Sequence, residues 1–321
     1  MLALNHRRRY VAVAFMLLAL NIILMFMVSS SFRPAVAGAS SPEFHVSPTP
    51  TYEPANWTVQ GEPPGPVITY CTLPSGASYD ADVYTPQPAP STPMPLAIFL
   101  HGNGLVTRAN ALRLGLTPAS PLEFMLRTLM NNGYAVAVLD YPYTRPLDAE
   151  AGKCAVRFFR ANAVTYNIDP TRIIAWGSSY GGRAATIMGT ADISAGLDVG
   201  TNLNYSSRVE TVLDWYGFQD AKSQSYITPD DAPFMIQHGL DDHSVLPSVS
   251  QTLYNEVTAQ NIVAQLQFVA NAGHIFAPHD GPTNPVYEVI AQTAITFLNN
   301  EVKNNPNPCL CYSRSPLHSS S

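Results

Sequence analysis

The sequence predicts an α/β fold in which a mostly parallel sheet carries helices on both faces. From residue 67 onward, short continuous apolar runs alternate with longer segments of helical periodicity. Continuous apolar runs are typical of strands that are buried on both faces, as they are in parallel sheets. The expected strands are 77–84, 95–100, 134–139, 172–176, 209–216, 232–238 and 264–269.

Helices are expected between these strands. Ser120, Pro121 and Glu123 form a capping box with proline at the first helical position, and Asn132 followed by Gly133 indicates where this helix ends. Further helices are expected at 148–166, 183–188, 248–259 and 286–302. A chain that alternates in this way needs right-handed crossover connections, so most of the strands should run parallel.

The composition predicts one large globular domain. Of the 321 residues, 46% are hydrophobic and 12% are charged, which is enough for a single core. We assign this domain to residues 67–304, between a Ser- and Pro-rich linker at 29–66 and a disordered tail at 305–321. The 17 basic and 23 acidic residues give a mildly negative chain, which offers no electrostatic basis for binding nucleic acid.

The N-terminus has the charge and hydropathy order of an export signal. His6 and three arginines precede an apolar run at 11–28 that only Asn21 interrupts. Small residues at 35–37 suit cleavage of a signal peptide, whereas the length of the run also suits a membrane anchor, and the sequence leaves both open. A buried core helix is the less favoured alternative. We therefore expect an exported protein, secreted or anchored at the outer face of the membrane by residues 1–28 alone.

Four cysteines, Cys71, Cys154, Cys309 and Cys311, are an even number in a chain expected to reach an oxidising compartment. One or two disulfides can therefore form, with a connectivity that the sequence leaves open. For Cys154, which lies in an apolar helical stretch, the favoured interpretation is a small buried side chain. The tail cysteines have no second pair of ligands near them, so no metal site is expected.

The strongest chemical signal is the segment Gly177-Ser178-Ser179-Tyr180-Gly181, which lies between the strand 172–176 and the helix 183–188. A serine at a sharp strand-to-helix turn has a strained backbone, and small residues two positions away on either side prevent clashes. Its hydroxyl then projects above the edge of the sheet, which predicts Ser179 as a nucleophile. The alternative is an ordinary glycine turn that opens a helix.

A serine hydroxyl is a weak nucleophile and needs a base and an orienting acid. In this kind of fold the acid comes after the serine in the sequence, and the histidine base comes after the acid. His274 follows the last strand, and Asp242 follows the strand 232–238, so both belong to loops at the carboxyl ends of strands. We expect Asp242 to hold the imidazole of His274 in the required tautomer. The alternatives are Asp241 for the acid, and His279 and His243 for the base, whereas His238 is interpreted as structural.

A third loop, His101-Gly102-Asn103-Gly104, directly follows the strand 95–100. In such a loop the backbone N–H groups can stabilise an oxyanion together with the N–H that follows the nucleophile. The expected donors are Asn103, Gly104 and Tyr180. The alternative is a glycine turn at the end of a strand.

Taken together, these segments resemble the α/β-hydrolase superfamily, and within it the feruloyl- and acetyl-esterase-like carboxylesterases related to hormone-sensitive lipase. The resemblance extends from residue 79 to residue 298, and the family's His-Gly-x-x-Asp stretch carries the acid role to Asp242. It implies an α/β-hydrolase fold with a sheet of about eight strands, of which the first two are antiparallel, a Ser-His-Asp triad that forms an acyl-enzyme, and no cofactor. The matching segments are 82–86, 101–104, 133–136, 140–141, 160–163, 169–173, 177–182, 238–242 and 273–274.

Two departures from the family pattern bear on the activity. Asn103 replaces a glycine of the usual His-Gly-Gly-Gly, and Tyr180, where many relatives have alanine, is similar to the prolyl-oligopeptidase branch. A serine peptidase is therefore the nearest enzymatic alternative, although the residues before 67 are too few for the propeller domain of those peptidases. A non-catalytic binding module on the same fold is the alternative from another class.

No large cap insertion interrupts residues 216–234. We therefore expect an open cleft that accepts a small-molecule ester or an ester on a bulky polymer. Aromatic residues that could line it, or could equally belong to the core, are Tyr141, Tyr143, Trp215, Tyr216 and Phe276.

Overall fold

A computed structural model describes residues 57–60, 67–102 and 120–305 of the chain. The predicted export segment, most of the predicted linker and the tail from residue 306 lie outside the described residues. The expected oxyanion-hole residues Asn103 and Gly104, and the cysteines Cys309 and Cys311, also lie outside them. Within the described part of the chain, no helix has both the length and the hydropathy needed to cross a membrane.

One nine-stranded sheet organises the domain, with the order β1-β3-β5-β4-β6-β7-β8-β9 and with β2 also paired to β3. The strands from β4 to β9 pair in parallel, and β3 pairs antiparallel with β1, β2 and β5. The predicted mostly parallel sheet is confirmed. The strands are β1 (Trp57–Gln60), β2 (Ile68–Thr72), β3 (Ser78–Pro86), β4 (Met94–Leu100), β5 (Ala135–Leu139), β6 (Ile168–Ser178), β7 (Thr211–Trp215), β8 (Phe234–Gly239) and β9 (Ala264–Val269).

Strand β1 lies inside the segment 29–66 that the sequence predicts to be a linker. It pairs with the second half of β3, from Val83 to Pro86, while β2 pairs with the first half of the same strand. The sheet therefore extends upstream of Val67.

Helices connect the strands and begin or end close to the predicted positions. At the start of α1, Ser120 Oγ accepts the N–H of Glu123 at 3.2 Å, as the capping signal predicts. Helix α2 ends five residues earlier than the periodicity indicates, because Asn162 leaves the helical conformation and its side-chain amide donates to Phe158 O. The helices are α1 (Pro121–Asn131), α2 (Leu147–Ala161), α3 (Tyr180–Thr190), α4 (Ala221–Gln224), α5 (Pro247–Ala259) and α6 (Tyr287–Leu298).

Both faces of the sheet are covered, which gives two hydrophobic layers. Alternate residues of β4 point to opposite sides: Leu96, Ile98 and Leu100 join one buried cluster, whereas Ala97 and Phe99 join the other. Helices α2, α3 and α5 pack into the first cluster, and α1 and α6 pack into the second. This arrangement explains why the central strands are continuous apolar runs in the sequence.

The favoured interpretation of Cys154 as a simple buried side chain is wrong. Its side chain is fully buried, but its sulfur is bonded to Cys71, so a disulfide joins β2 to α2. The two Cα atoms are 5.8 Å apart, within the usual range for a bridge. Burial in a helix does not distinguish a free thiol from a half-cystine, because both are buried for the same hydrophobic reason.

Three parallel strands end at the same edge of the sheet. Strands β6, β8 and β9 run in the same direction, so the loops that follow them gather at the carboxyl edge. Between β7 and β8 the described chain forms only the four-residue helix α4, so no large cap insertion lies between these two strands.

Candidate active site

Ser179 occupies a strained turn between β6 and α3. Its backbone angles are φ 53° and ψ −116°, which an L-residue rarely adopts. A Cβ at position 177 would lie 2.0 Å from Gly181 O, and a Cβ at position 181 would lie 1.9 Å from Leu100 O. The turn therefore requires glycine at both flanking positions, and the Ser179 N–H donates to Trp215 O at 2.9 Å to fix it to β7.

His274 lies directly opposite this serine. It begins a single helical turn, His274–Phe276, after β9, and its Nε2 lies 3.0 Å from Ser179 Oγ. Its side chain is about a quarter exposed, at 25%, so the ring can be reached from solvent. Ile275 and Phe276 have positive φ angles of 59° and 56°, which shows that this turn is sharply bent where it presents the imidazole.

Asp242 holds the other side of the same ring. His274 Nδ1 lies 2.7 Å from Asp242 Oδ2, and Asp242 Oδ1 accepts the backbone N–H groups of Ser244 and Val245. Burial pushes the pKa of Asp242 upward, but hydrogen bonds from His274 and from these two N–H groups outweigh it and leave the pKa below its ordinary value. The buried carboxyl is therefore ionised, which favours a proton on His274 Nδ1 and a free acceptor at Nε2.

The alternative acid and bases are not part of this hydrogen-bonded chain. His279 is 55% exposed and pairs with Asp280, and the His243 ring faces His279 with their centroids 6.5 Å apart. Asp241 uses its backbone N–H to contact Ala272 O, and only the next residue carries a carboxylate that reaches His274. The structure brings together the side chains of Ser179, His274 and Asp242.

Tyr216 forms a wall against the histidine. Its ring lies 5.0 Å from the His274 ring and 4.9 Å from Phe276, in edge-on arrangements. Tyr216 has a φ of 42°, and the following Gly217 N–H donates to Asp214 Oδ1 at 2.8 Å, which holds this turn at the end of β7. Of the five aromatic candidates, Tyr216 contacts the site, whereas Trp215 is buried and donates to Gln237.

The first two residues after β4, His101 and Gly102, lie beside the Ser179 turn. A Cβ at Gly102 would lie 3.2 Å from the Cβ of Ser179, so this loop passes directly beside the nucleophile turn. Tyr141 donates its hydroxyl to His101 O, and Tyr143 donates to Gly102 O at 2.9 Å. These two hydroxyls orient the first peptides of the loop, a role that the sequence interpretation missed because it assigned both tyrosines only to the cleft wall or the core.

Tyr180, the third expected oxyanion donor, is the first residue of α3. Its N–H therefore has no acceptor within the helix. Its ring lies 5.4 Å from Tyr143 and 5.8 Å from Phe218, and its hydroxyl is hydrogen-bonded to Asp148. The backbone N–H is thus available to a ligand while the side chain is held elsewhere.

An ion-pair network around the buried side chains of Arg183 and Asp148 anchors the start of α3. Arg183 donates to Asp148 Oδ2 at 2.9 Å and to Asp220 Oδ2 at 2.8 Å, and Arg145 pairs with the same Asp220 oxygen. Sequence reasoning did not identify this network, because its members lie on separate elements and no local spacing links them. In the described part of the chain, no three His, Cys, Asp or Glu side chains cluster in a way that could hold a metal ion.

Two protein families match the chain over overlapping segments. The BD-FAE family matches residues 81–225, and the dienelactone hydrolase family matches residues 198–299. Together these segments contain Ser179, Asp242 and His274. No curated protein sequence matches the chain significantly.

Solved structures with the same fold include several esterases. A truncated carbohydrate esterase from gut microbiota is 20% identical, with a TM-score of 0.59, over 76% of this chain and 96% of its own. A thermophilic esterase from Thermogutta terrifontis with bound propionate is 17% identical, with a TM-score of 0.57, over 73% of this chain and 93% of its own. The same esterase phosphorylated by paraoxon is 19% identical, with a TM-score of 0.57 and the same coverage of 73% and 93%.

At these identities the solved structures establish the fold, and the two family matches agree with it. The chain has the α/β-hydrolase fold, and it is similar to esterases that share this fold.

Proposed function

We propose that the protein is a serine carboxylesterase that hydrolyses esters through an acyl-enzyme on Ser179. The observation that carries this proposal is the hydrogen-bonded chain in which His274 Nε2 lies 3.0 Å from Ser179 Oγ and His274 Nδ1 lies 2.7 Å from Asp242 Oδ2. An alcohol, an imidazole and a carboxylate in this order are the groups that general-base-assisted acyl transfer requires.

The reaction begins when Ser179 Oγ attacks the ester carbonyl carbon and its proton passes to His274 Nε2. The resulting imidazolium is stabilised by the Asp242 carboxylate. The carbonyl oxygen becomes an oxyanion, for which the Tyr180 N–H is one donor, with the N–H groups of Asn103 and Gly104 as the expected others. His274 then gives its proton to the leaving alcohol oxygen as the bond between carbon and that oxygen breaks.

Water completes the cycle in the second half. It gives a proton to His274 and attacks the acyl carbon of the Ser179 ester, and the proton then returns to Ser179 Oγ as the carboxylic acid leaves. The Asp242 carboxyl must stay ionised throughout, which its lowered pKa supports.

The proposed substrates are esters of short acyl groups, on small molecules or on carbohydrate. The absence of a large cap in the described chain supports an open approach to Ser179. The likeness to a carbohydrate esterase and to an esterase that binds propionate supports the same range. We also propose that the protein acts after export, secreted or held at the membrane by residues 1–28, a proposal that depends on the sequence alone.

The test is the hydrolysis of p-nitrophenyl acetate by Ser179→Ala beside the matched variant Ser178→Ala. Ser178 is the adjacent serine and hydrogen-bonds Tyr216 instead of His274. Ser179→Ala should lower kcat by at least about 10⁴-fold, and Ser178→Ala should keep at least about a tenth of it. Circular dichroism and thermal unfolding of each variant provide the control for folding.

Two results would overturn the proposal. One is a folded Ser179→Ala protein that keeps near-normal turnover. The other is a wild-type protein that cleaves peptide p-nitroanilides but no acetyl, butyryl or feruloyl ester, which would favour the peptidase alternative.

A further inference from the structure

A second histidine contacts the carboxylate of the proposed triad. His238 lies at the carboxyl end of β8 and is fully buried. Its Nε2 lies 3.2 Å from Asp242 Oδ2 and 2.9 Å from Val245 O, and its Nδ1 lies 2.6 Å from Ser250 Oγ. Asp242 Oδ2 therefore lies between two imidazole rings, those of His238 and His274.

These contacts define the tautomer of His238. A carbonyl oxygen and an ionised carboxylate can only accept hydrogen bonds, so the proton must be on Nε2, where it is shared between Val245 O and Asp242 Oδ2. Nδ1 is then an acceptor, and the buried Ser250 hydroxyl on α5 donates to it. One neutral imidazole satisfies every one of these partners.

The charge state agrees with this assignment. Burial lowers the pKa of His238 and outweighs the neighbouring Asp242 carboxylate and Val245 carbonyl, which act to raise it; His274 acts in the same direction as burial. The two histidines on Asp242 thus differ: His274 is partly exposed and contacts Ser179, whereas His238 is sealed from solvent. Only the first is placed to exchange protons with a substrate.

We propose that His238 is a positioning residue for the reaction, because its Nε2–H and the N–H groups of Ser244 and Val245 hold Asp242 in the rotamer that aims Oδ2 at His274 Nδ1. This inference depends on the proposed esterase function. It goes beyond that function by adding Ser250 and His238 to the path that orients the base: Ser250 orients His238, His238 orients Asp242, and Asp242 orients His274.

Loss of the Nε2–H donor leaves Asp242 held by the Ser244 and Val245 N–H groups on Oδ1 but weakens the placement of Oδ2, so His274 is less often in the productive orientation. The binding of the ester does not involve these buried groups. We therefore expect kcat to fall by about 10-fold, the usual worth of a hydrogen bond to a charged group, with KM unchanged.

The first experiment compares His238→Asn with His238→Gln. Asparagine can keep a partner for Ser250 near the Nδ1 position but cannot reach Asp242, whereas the longer glutamine can present an amide N–H near the Nε2 position. All rates are divided by the number of active sites that a fluorophosphonate titrates, so that a smaller folded fraction does not imitate the effect. His238→Asn should lose about 10-fold in kcat, and His238→Gln should stay within about 3-fold of wild type.

The second experiment repeats His238→Asn in an Asp242→Ala background. If His238 acts through Asp242, the further loss there should be less than about 2-fold. Equal kcat per titrated site in wild type and His238→Asn overturns the proposal. A loss of about 10-fold in kcat when His238→Asn is added to Asp242→Ala also overturns it. If His238→Asn does not fold, Ser250→Ala tests the same path, because it removes only the donor to Nδ1; it should lower kcat by about 3-fold, and an unchanged kcat overturns the proposal.

The failure of this inference is distinguishable from failure of the proposed function. A wild-type protein without esterase turnover, or an active Ser179→Ala protein, contradicts the function whatever His238 does. An active wild type with an inactive Ser179→Ala and a fully active His238→Asn contradicts only the positioning role.

Discussion

His274 Nε2 lies 3.0 Å from Ser179 Oγ, although 95 positions of chain separate the two residues. The contact exists because β6 and β9 end at the same edge of a parallel sheet, with β7 and β8 between them. Asp242 lies in the loop after β8, and its Oδ2 is 2.7 Å from His274 Nδ1, the ring nitrogen that does not contact Ser179. The fold therefore brings together, from three loops, the hydroxyl, imidazole and carboxylate groups of the proposed triad.

The choice of base can be tested with three histidine variants. His274→Ala should lower kcat for p-nitrophenyl acetate by about 10⁴-fold or more, because no other imidazole contacts Ser179 in the described part of the chain. His279→Ala and His243→Ala should stay within about 3-fold of wild type. The native rings of these two histidines lie against each other and take no part in the hydrogen bonds between Ser179, His274 and Asp242. A large loss in either of these, with normal turnover in His274→Ala, would move the base role.

The nucleophile turn should not tolerate a methyl group at residue 181. Gly181→Ala would push a Cβ to 1.9 Å from Leu100 O, so we expect it to cost about 3 kcal/mol or more and to lower the activity of whatever folds. Gly196→Ala is the control, since nothing lies within 4 Å of the Cβ position of that glycine, and its φ of 71° is the only source of strain for alanine there. It should cost about 1 kcal/mol and leave kcat unchanged. Urea unfolding and kcat measure both, and equal effects of the two variants would contradict the close-packed turn.

The disulfide should stabilise the domain through its long loop. Cys71 and Cys154 are 83 positions apart, so their bond removes considerable freedom from the unfolded chain. The double variant Cys71→Ala and Cys154→Ala should lose about 2–4 kcal/mol in the free energy of unfolding. Intact mass with and without reduction checks that the bond is present in the wild type. Equal urea midpoints for the oxidised wild type and the double variant would show that the bridge contributes nothing.

Asp214 should give the stability of the domain a defined pH dependence. Burial raises its pKa to about 6, although the Gly217 N–H, Thr186 and Gln219 donate to it. The pKa of an aspartate in an unfolded chain is about 3.9, so the folded protein binds this proton more tightly than the unfolded chain does. The stabilisation that the bound proton provides is fully present below pH 4 and is lost as the pH rises through about 6. The difference is about 3 kcal/mol. Other carboxyl groups titrate in the same range, so the prediction compares the wild type with Asp214→Asn. Between pH 4 and pH 6 the free energy of unfolding should fall less for Asp214→Asn than for the wild type. Parallel pH profiles of the free energy of unfolding would contradict the prediction.

The sequence was sufficient for the parts of the site that local chemistry determines. The glycines at 177 and 181 are required by backbone contacts within one turn, so the turn around Ser179 could be read from neighbouring residues. The order of the strands placed Asp242 and His274 at the same edge. The bounds of the last strand, Ala264–Val269, agree residue for residue with the prediction.

Other features depend on tertiary packing and could not be predicted. The bond between Cys71 and Cys154 requires α2 to pack against β2, which no spacing in the sequence expresses. Strand β1 has four residues, too few for a periodicity signal, and exists through its pairing with β3. The network of Arg183, Asp148 and Asp220 joins α3, α2 and the N-cap of α4, so only the folded chain reveals it.

Covalent labelling of Ser179 is the most direct test of the central claim. The wild-type protein, reacted with a fluorophosphonate and digested, should yield one phosphonylated peptide that contains Ser179, and fragmentation should place the adduct on that residue rather than on Ser178. Labelling should abolish ester hydrolysis in proportion to the modified fraction. A folded protein that hydrolyses esters while Ser179 remains unmodified, or that carries the adduct on another residue, would contradict the account.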